Sequence, residues 1–388
     1  MTKEKLRDAF FEVFGGTEEP VLVFSPGRVN LIGEHIDYNG GRVVPCALTM
    51  GTWFAGRKRE DKLLRIYSEN FKDLGIVERS SEALSCDPDK GFTNYPAGLI
   101  WTFRKNGLKI PCGMDVYLSG NIPYASGLSS SASVEVGMGL LLSELFGLEV
   151  LPEDIALFSQ YSENNFNGLN CGIMDQFVIA MGKKDCAVYL DTASLAYEYA
   201  PVKLEGVKLV IGCTNKKRGL TDSKYNERRA ECEEALSLLQ KAADIQSLCE
   251  LSLTDYEDLA FLLEKDNLKK RVRHVVSENE RVRKAVEALR QGDLEIFGKL
   301  MNESHVSLRD DYEVTGIELD TLTEEAWKVE GCLGARMTGA GFGGCNVALV
   351  KDEAVEDFIR AVGSAYKEKI GYEAGFYVAE IGDGVHVM

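Results

Sequence analysis

A run of small and hydroxylic residues that leads directly into an apolar stretch constrains this chain more than any other segment. Residues 123–133 read PYASGLSSSAS, and apolar side chains then recur at helical spacing, at Val134, Met138, Leu141 and Leu145. This pattern predicts a helix that begins inside the serine run. Its first turn would offer free backbone N–H groups, the positive end of the helix dipole and hydroxyl groups with little bulk, as a phosphate site requires.

The same serine run has a simpler interpretation as the cap of a core helix, because Ser is a common N-cap residue. Capping needs one serine, whereas residues 129–133 of this run read SSSAS. The lysine-bearing phosphate loop G-x-x-x-x-G-K-[ST] does not occur in the sequence. A nucleotide site in this chain must therefore be built from other groups.

Charge and cysteine usage narrow the class of protein. The chain has 388 residues, enough for two domains, and a formal net charge of −17. That charge argues against nucleic acid as a partner, but a few local cations can still bind a small anion such as a Mg-nucleotide. Ten cysteines without a C-x-x-C pair indicate a reducing, cytoplasmic setting. We expect no membrane partner and no signal peptide, because no apolar run has the required length.

A second polar segment lies at residues 27–41, after a strand predicted over residues 20–25. Glu34, His35 and Asp37 lie within a span of four residues, and this span belongs to a glycine-rich loop. Carboxylates accept hydrogen bonds from hydroxyls and His can donate or accept, so the cluster suits a ligand with many hydroxyl groups. A metal site is the alternative, but a loop of four residues lacks the i,i+4 geometry of a helix, and a solvated turn is the simplest possibility.

Two helices are predicted after the serine run. The first begins at Pro152 and ends at Glu163, and the second follows residues 171–172 and places Asp175 in its first turn. A first-turn acid commonly does no more than complement the helix dipole, and Glu163 can be a solvated helix end. Position alone therefore assigns neither carboxylate to a site.

The second half of the chain is predicted to be mainly helical after a buried strand over residues 206–212. Helices are predicted over 224–239 and 268–289, and residues 254–257 match a capping box.

A glycine-rich segment follows at residues 334–345. Gly339, Gly341 and Gly344 match the dinucleotide fingerprint G-x-G-x-x-G, but a strand pattern follows where that motif needs a helix. So many glycines indicate a backbone that approaches another element closely. We expect this loop to pack against the serine run.

Three blocks of the sequence, in this order, resemble the GHMP kinase family. They are residues 27–39, the serine run and residues 337–345. The first block is the most specific, because it is similar to the signature of the galactokinase branch of that family. Residues 171–176 and 304–314 are also similar to segments of that branch. The resemblance therefore extends over nearly the whole chain.

The resemblance implies an α/β (α+β) fold with two domains, residues 1–199 and 200–388, and an active site in the cleft between them. It implies ATP-dependent phosphorylation of galactose at the anomeric hydroxyl, with Mg²⁺. The alternatives are an N-acetylgalactosamine kinase or other sugar-1-kinase of the same family, and a sensor that binds galactose and ATP without turnover. The sequence does not determine the oligomeric state, and a monomer is the default expectation.

The resemblance also implies which residues form the site. It makes Asp175 the group that takes the sugar proton and Arg28 the cation that steadies it and the transferring phosphoryl group. The implied sugar contacts are Glu34, His35, Ile36, Asp37, Gly172 and Tyr225. The implied nucleotide contacts are Ser68, Ala125, Ser126, Gly127, Leu128, Ser129, Ser130 and Ser131. The implied magnesium ligands are Ser131 and Glu163.

Two positions depart from the family pattern. Ile36 stands where galactokinases often have Thr, and N-acetylgalactosamine kinases resemble this chain there, so selectivity at the sugar 2-position is left open. Phe92 stands where the family often has Trp, and the adenine pocket is expected to differ in detail.

Overall fold

Helices and strands both contribute extensively to the structure, which confirms the predicted α/β (α+β) class. It is a computed structural model and describes residues 1–123, 127–216 and 221–388, with the backbone alone for 221–223. The strands are β1 (Val21–Asn30), β2 (Arg42–Val43), β3 (Pro45–Lys58), β4 (Leu63–Ser68), β5 (Val77–Ser80), β6 (Met114–Gly120), β7 (Cys186–Asp191), β8 (Tyr197–Pro201), β9 (Val207–Cys213), β10 (Cys332–Thr338), β11 (Cys345–Lys351), β12 (Gly375–Ala379) and β13 (His386–Val387). The α-helices are α1 (Lys3–Phe14), α2 (Asn94–Lys105), α3 (Ser130–Phe146), α4 (Pro152–Ser162), α5 (Met174–Met181), α6 (Thr221–Leu239), α7 (Leu253–Leu259), α8 (Asp266–Gln291), α9 (Leu294–Ser307), α10 (Ile317–Trp327) and α11 (Val355–Ile370).

A six-stranded sheet organises the first half of the chain, in the order β13–β1–β3–β6–β4–β5. The neighbours β4 and β6 are parallel, and the other pairs are antiparallel. Successive side chains of a strand point to opposite faces, and β3 follows this rule. Phe54 packs in a cluster with α2 and α3, whereas Ala55 packs with Leu6 and Phe10 of α1. The sheet is therefore covered on both faces.

A four-stranded antiparallel sheet, β10–β11–β9–β12, organises the second half. One face packs against α10 and α11, through Leu322 and Phe358. The other face contributes Val347 to the largest apolar cluster, which also contains Val29 and Val282. That cluster joins both halves of the chain, and β13 returns to pair with β1. The division into residues 1–199 and 200–388 stays a prediction.

Three local features differ from the sequence-based expectations. Strand β1 continues through the segment predicted as a loop and ends at Asn30, because a register shift between Pro26 and Arg28 accommodates Pro and Gly within the strand. Helix α4 ends at Ser162 and passes into a π-turn, Glu163–Asn167. The capping box predicted at residues 254–257 is wrong.

The true N-cap of α7 is Ser252, whose side chain and that of Asp255 bond each other's backbone N–H groups. The spacing of three residues that a capping box needs is met from this earlier serine.

In the part of the chain that the structure describes, no helix is both long enough and apolar enough to cross a membrane.

Candidate active site

Arg28 and Asp175 form a bidentate ion pair at the end of β1. Arg28 Nε lies 2.8 Å from Asp175 Oδ1, and Nη2 lies 2.9 Å from Oδ2. Burial opposes the charge of Arg28, a residue that is 3% exposed, but Asp175 and Glu34 beside it raise its pKa above the usual value. Asp175 lies in the first turn of α5, as predicted, and 30% of its side chain is exposed. The carboxylate is therefore fixed by a permanent cation and still open to a ligand.

The serine run begins α3 beside this ion pair. Helix α3 starts at Ser130, inside the run as predicted, and Ser129 occupies its N-cap position with a φ of 60°. The Ser129 hydroxyl donates to Asp175 Oδ2 instead of capping the helix. Because the first-turn N–H groups receive no cap from Ser129, they are available to an anion. Ser130 is exposed and Ser131 is half-buried.

Strand β1 and the ion pair hold the segment that precedes α3. Arg28 Nη1 donates to the Gly127 carbonyl at 2.6 Å, and the Arg28 N–H donates to the Leu128 carbonyl at 3.2 Å. Both residues are thus carried beside Asp175. Ala125 and Ser126, the other predicted nucleotide contacts in this run, lie outside the described residues.

The glycine-rich loop between β10 and β11 packs against the serine run, as the sequence predicts. A Cβ atom on Gly339 would lie 2.8 Å from the Gly127 carbonyl oxygen, and Gly339 has a φ of +85°. The Asn30 N–H also donates to Thr338 Oγ1 at 3.0 Å. The loop needs Gly339 because any side chain there would press on the serine run.

Glu34 connects the polar segment at residues 27–41 to the second half of the chain. Its carboxylate accepts from the Asn30 side chain and from the Gly339 N–H, and Arg336 Nη2 lies 3.5 Å from Oε2. Burial raises the pKa of Glu34 above its usual range, against the opposing effect of Arg336 and Arg28. Glu34 therefore joins this polar segment to the glycine-rich loop.

His35 is held as a neutral imidazole. Its Nε2 lies 3.2 Å from the Ala340 carbonyl, and its Nδ1 lies 2.8 Å from the Tyr38 hydroxyl. A carbonyl oxygen only accepts, so Nε2 carries the hydrogen and Nδ1 accepts from Tyr38. Burial, with a smaller effect of His274, lowers the pKa of His35 to about 3. The Tyr225 ring lies 5.5 Å from both the His35 and the Tyr38 rings, between centroids.

Asp37 faces Gly172 in an unusually close approach. A Cβ atom on Gly172 would collide with the Asp37 carboxyl group, so any larger residue there would force the Asp37 side chain to move. Burial raises the pKa of Asp37 to about 7, with further contributions from Asp175 and Glu34. Both residues line a cleft of about 300 Å³. Ile36, between these polar side chains, is fully buried.

Glu163 is buried beside a second carboxyl group, Glu135, which the sequence analysis did not single out. Burial, together with the neighbouring Glu163, raises the pKa of Glu135 well above its usual range. Asn167 Nδ2 also donates to Glu135 Oε1 at 3.2 Å. The alternative of Glu163 as a solvated helix end is therefore wrong. Glu135 follows Ser131 by four residues on α3, and this spacing was the available signal.

Two predicted nucleotide-side residues lie on neighbouring elements. Ser68 is buried at the end of β4, opposite Leu118 of β6. Phe92, at the position expected to border adenine, stacks on Phe71 with ring centroids 5.2 Å apart. No group of three or more His, Cys, Asp or Glu side chains in the described ranges could hold a metal ion.

Comparisons with known proteins identify the family of the chain. Three family models match the chain: the galactokinase galactose-binding signature over residues 8–58, the N-terminal domain of GHMP kinases over 94–183 and the C-terminal domain of GHMP kinases over 285–368. A galactokinase from Ligilactobacillus salivarius is 53% identical over 388 residues, the full length of both chains. The chain belongs to the galactokinase family.

Solved structures support the same assignment. A galactokinase-family structure, the Lactococcus lactis galactokinase complexed with galactose, has a TM-score of 0.96 and 49% identity, with 99% of each chain covered. The mevalonate kinase of Methanococcus jannaschii, at 19% identity and a TM-score of 0.68, shares the fold, with 95% of this chain and 100% of the other covered. The predicted GHMP kinase fold and the predicted enzyme class, an ATP-dependent sugar kinase, are confirmed.

Helix α8 contacts the polar segment at residues 27–41, which contains part of the galactokinase-family signature. No pattern in the sequence connects α8 to the site. Glu278 Oε1 accepts from the Gly33 N–H at 3.0 Å, and His274 Nε2 lies 3.0 Å from the Glu34 carbonyl. Burial alone would raise the pKa of Glu278, but Arg281 and other cations lower it to about 2. These contacts span more than 200 residues of sequence, so no local pattern could indicate them.

Proposed function

We propose that this galactokinase-family chain transfers the γ-phosphoryl group of Mg-ATP to the anomeric hydroxyl of galactose, giving galactose 1-phosphate and ADP. The observation that carries the proposal is the bidentate Arg28–Asp175 pair beside the N-terminus of α3. An accessible carboxylate, a fixed cation and a helix N-terminus are thereby brought to one place. Phosphoryl transfer asks for this kind of positioning and charge stabilisation.

The proposed role of Asp175 is to accept the proton of the anomeric hydroxyl. The sugar oxygen forms a bond to the γ-phosphorus as the bond from that phosphorus to the β,γ-bridging oxygen breaks, and ADP leaves. A carboxylate is a weak base for an alcohol, but it can take the proton late in a loose transition state. Arg28 keeps Asp175 in place and offsets negative charge on both groups.

The proposed nucleotide site is the N-terminus of α3. Gly127, Leu128, Ser129, Ser130 and Ser131 are the described residues proposed for it, with Ala125 and Ser126 added by the family resemblance. Because Ser129 directs its hydroxyl to Asp175, its proposed contribution to the phosphates is through the backbone. Ser68 keeps its predicted role as a contact of the nucleotide.

Ser131 and Glu163 are proposed to hold Mg²⁺. The buried Glu135–Glu163 pair supports a cation here, because two adjacent carboxyl groups away from water favour a shared proton or a positive ion. Oxygen ligands from a hydroxyl and a carboxylate are those that Mg²⁺ prefers. When bound, the ion would neutralise charge on the phosphates.

Galactose is proposed to lie among Glu34, His35, Asp37, Gly172 and Tyr225. The close Asp37–Gly172 contact supports this, because it places the Asp37 carboxyl group beside an open cleft, where its oxygens can accept hydrogen bonds from sugar hydroxyls. The Lactococcus lactis relative was solved with galactose. An N-acetylgalactosamine kinase is the second candidate, favoured by the residue type at Ile36, where such kinases resemble this chain.

Release of ADP in the presence of Mg-ATP tests the proposal, with galactose, N-acetylgalactosamine, glucose and arabinose as acceptors. Turnover with galactose well above that with the other sugars is the expected result. Preference for N-acetylgalactosamine would favour the second candidate, and sugar binding without ADP release would favour a sensor. We further propose a cytoplasmic monomer, and the ten free cysteines are consistent with a reducing compartment.

A further inference from the structure

We propose that Arg229 is a positioning residue that sets the affinity of this chain for its sugar. It would do so by joining α6, which carries Tyr225, to the loop that carries Gly172. The inference rests on the proposed function, because it takes Tyr225 and Gly172 as two sides of the sugar site. It adds a residue to that site which neither contacts the reacting atoms nor belongs to the sugar signature.

The contacts of Arg229 cross between the two halves of the chain. Its Nη1 donates to the carbonyl of Asn170 at 2.8 Å, two residues before Gly172. Its guanidinium carbon lies 5.9 Å from the centroid of the Tyr38 ring. Tyr38 directly follows Asp37 in the sequence. Arg229 thus touches both chain segments that form the close Asp37–Gly172 approach.

Arg229 also lies on the same side of α6 as Tyr225. The two residues are four positions apart, one turn of an α-helix, so their side chains project from one face. The Tyr225 ring in turn packs 5.5 Å from the Tyr38 ring. The Arg229 guanidinium therefore links the Tyr225 face of α6 to the Gly172 loop.

A second anchor explains why loss of Arg229 should not unfold the loop. Asn164 Oδ1 accepts from the Cys171 N–H at 2.9 Å, and its Nδ2 donates to the Cys171 carbonyl at 3.4 Å. This anchor belongs to the same half of the chain as the loop. Without Arg229 the loop would keep its own conformation but would no longer be fixed against α6.

The effect should fall on the sugar and not on the nucleotide. Arg229 contacts Asn170, Tyr38 and, on its own helix, Glu233, whose Oε1 accepts from Nε at 3.0 Å. The α3 N-terminus is held instead by Arg28. Because 29% of the Arg229 side chain is exposed, the loss should be moderate.

The test compares Arg229→Ala, Arg229→Lys and Glu233→Ala with the wild-type chain. Galactose dissociation constants are measured by calorimetry without nucleotide, and KM and kcat for galactose and ATP by ADP release. We expect Arg229→Ala to raise the galactose Kd and KM about tenfold, the worth of one charge-assisted hydrogen bond. Its kcat and its KM for ATP should stay within about twofold of wild type.

The two other variants separate positioning from general stability. Arg229→Lys keeps a cation that can still reach a carbonyl, so it should restore part of the affinity. Glu233→Ala removes the partner on α6 but leaves the Asn170 contact, so its galactose affinity should match wild type. Melting temperatures of all variants are measured alongside.

Three results would overturn the inference. They are an unchanged galactose Kd in Arg229→Ala, an equal loss for galactose and ATP, and a loss in Glu233→Ala as large as that in Arg229→Ala. Failure of the proposed function would look different, because the wild-type chain itself would then not bind or phosphorylate galactose.

Discussion

Arg28 holds Asp175 by both carboxylate oxygens, at 2.8 Å and 2.9 Å, across 147 residues of sequence. The third nitrogen of the same guanidinium, Nη1, donates a hydrogen bond to the Gly127 carbonyl. One buried cation therefore positions both the proposed proton acceptor and the residues that precede α3. The Ser129 hydroxyl adds a further hydrogen bond to Asp175. A change at either member of the pair should therefore affect turnover more than the binding of either ligand.

Asp175→Asn is expected to lower turnover by about 10²–10⁴-fold, the usual worth of acid–base participation. Asparagine keeps the size of the side chain but does not accept a proton as a carboxylate does. Galactose and ATP should still bind. Arg28→Ala should also lower kcat strongly, and the two losses should not add in the double variant, since the residues act as a unit. Retention of more than about a tenth of wild-type kcat by a folded Asp175→Asn chain would refute the assignment.

Glu163→Gln is expected to raise the magnesium concentration needed for half-maximal activity while galactose affinity stays near normal. The amide keeps the shape of the side chain but loses the charge that attracts a divalent cation. Direct titration of Mg²⁺ in the presence of ATP gives a second readout. Glu153→Gln, the same change in the first turn of α4, is a matched control. Equal behaviour of the two variants would contradict a role for Glu163 at the metal.

Galactose affinity is expected to increase as the pH rises through about 7. Burial raises the pKa of Asp37 to about 7, so the carboxyl group is largely protonated below that pH and becomes a full acceptor above it. The Kd should fall by up to about tenfold per pH unit below 7 and level off above it. Asp37→Asn should bind more weakly and lose this dependence. Calorimetry from pH 5.5 to 8.5 measures both, and a pH-independent wild-type Kd would contradict the assignment.

The free energy of unfolding is expected to fall as the pH drops below about 6.5. Burial lowers the pKa of His35 to about 3 and that of His274 to about 4. The unfolded chain takes up a proton on each histidine near pH 6.5, but the native state does not, so acid favours unfolding. Each histidine adds a slope of about 1.4 kcal/mol per pH unit from 6.5 down to its native pKa.

Urea denaturation at several pH values measures this slope. His274→Asn should reduce the slope between pH 6.5 and 4 by about 1.4 kcal/mol per pH unit, which corresponds to the uptake of one proton. His386, which is exposed in β13, provides the comparison, and His386→Asn should leave the slope unchanged. An unaltered slope in His274→Asn would show that His274 is protonated in the native chain.

Local patterns in the sequence determined several parts of the site. The small residues before an apolar helix pattern placed the start of α3 at the serine run, and the break after Gly172 placed Asp175 in the first turn of α5. The strand pattern after Gly344 identified a glycine-rich loop that precedes a strand. These signals are readable because caps, helical periodicity and glycine conformation act over a few neighbouring residues.

Tertiary structure decided how these parts are used. Only packing turned the Ser129 hydroxyl to Asp175 and buried Glu163 against Glu135. Only packing fixed the sugar signature through Glu278 of α8. Residue type and spacing do not specify such contacts, because they join segments distant in sequence, and the protonation of these groups depends on their burial in the folded chain. The sequence alone thus determined which chemical groups are available, whereas their partners and charges follow from the packing of sheets and helices around them.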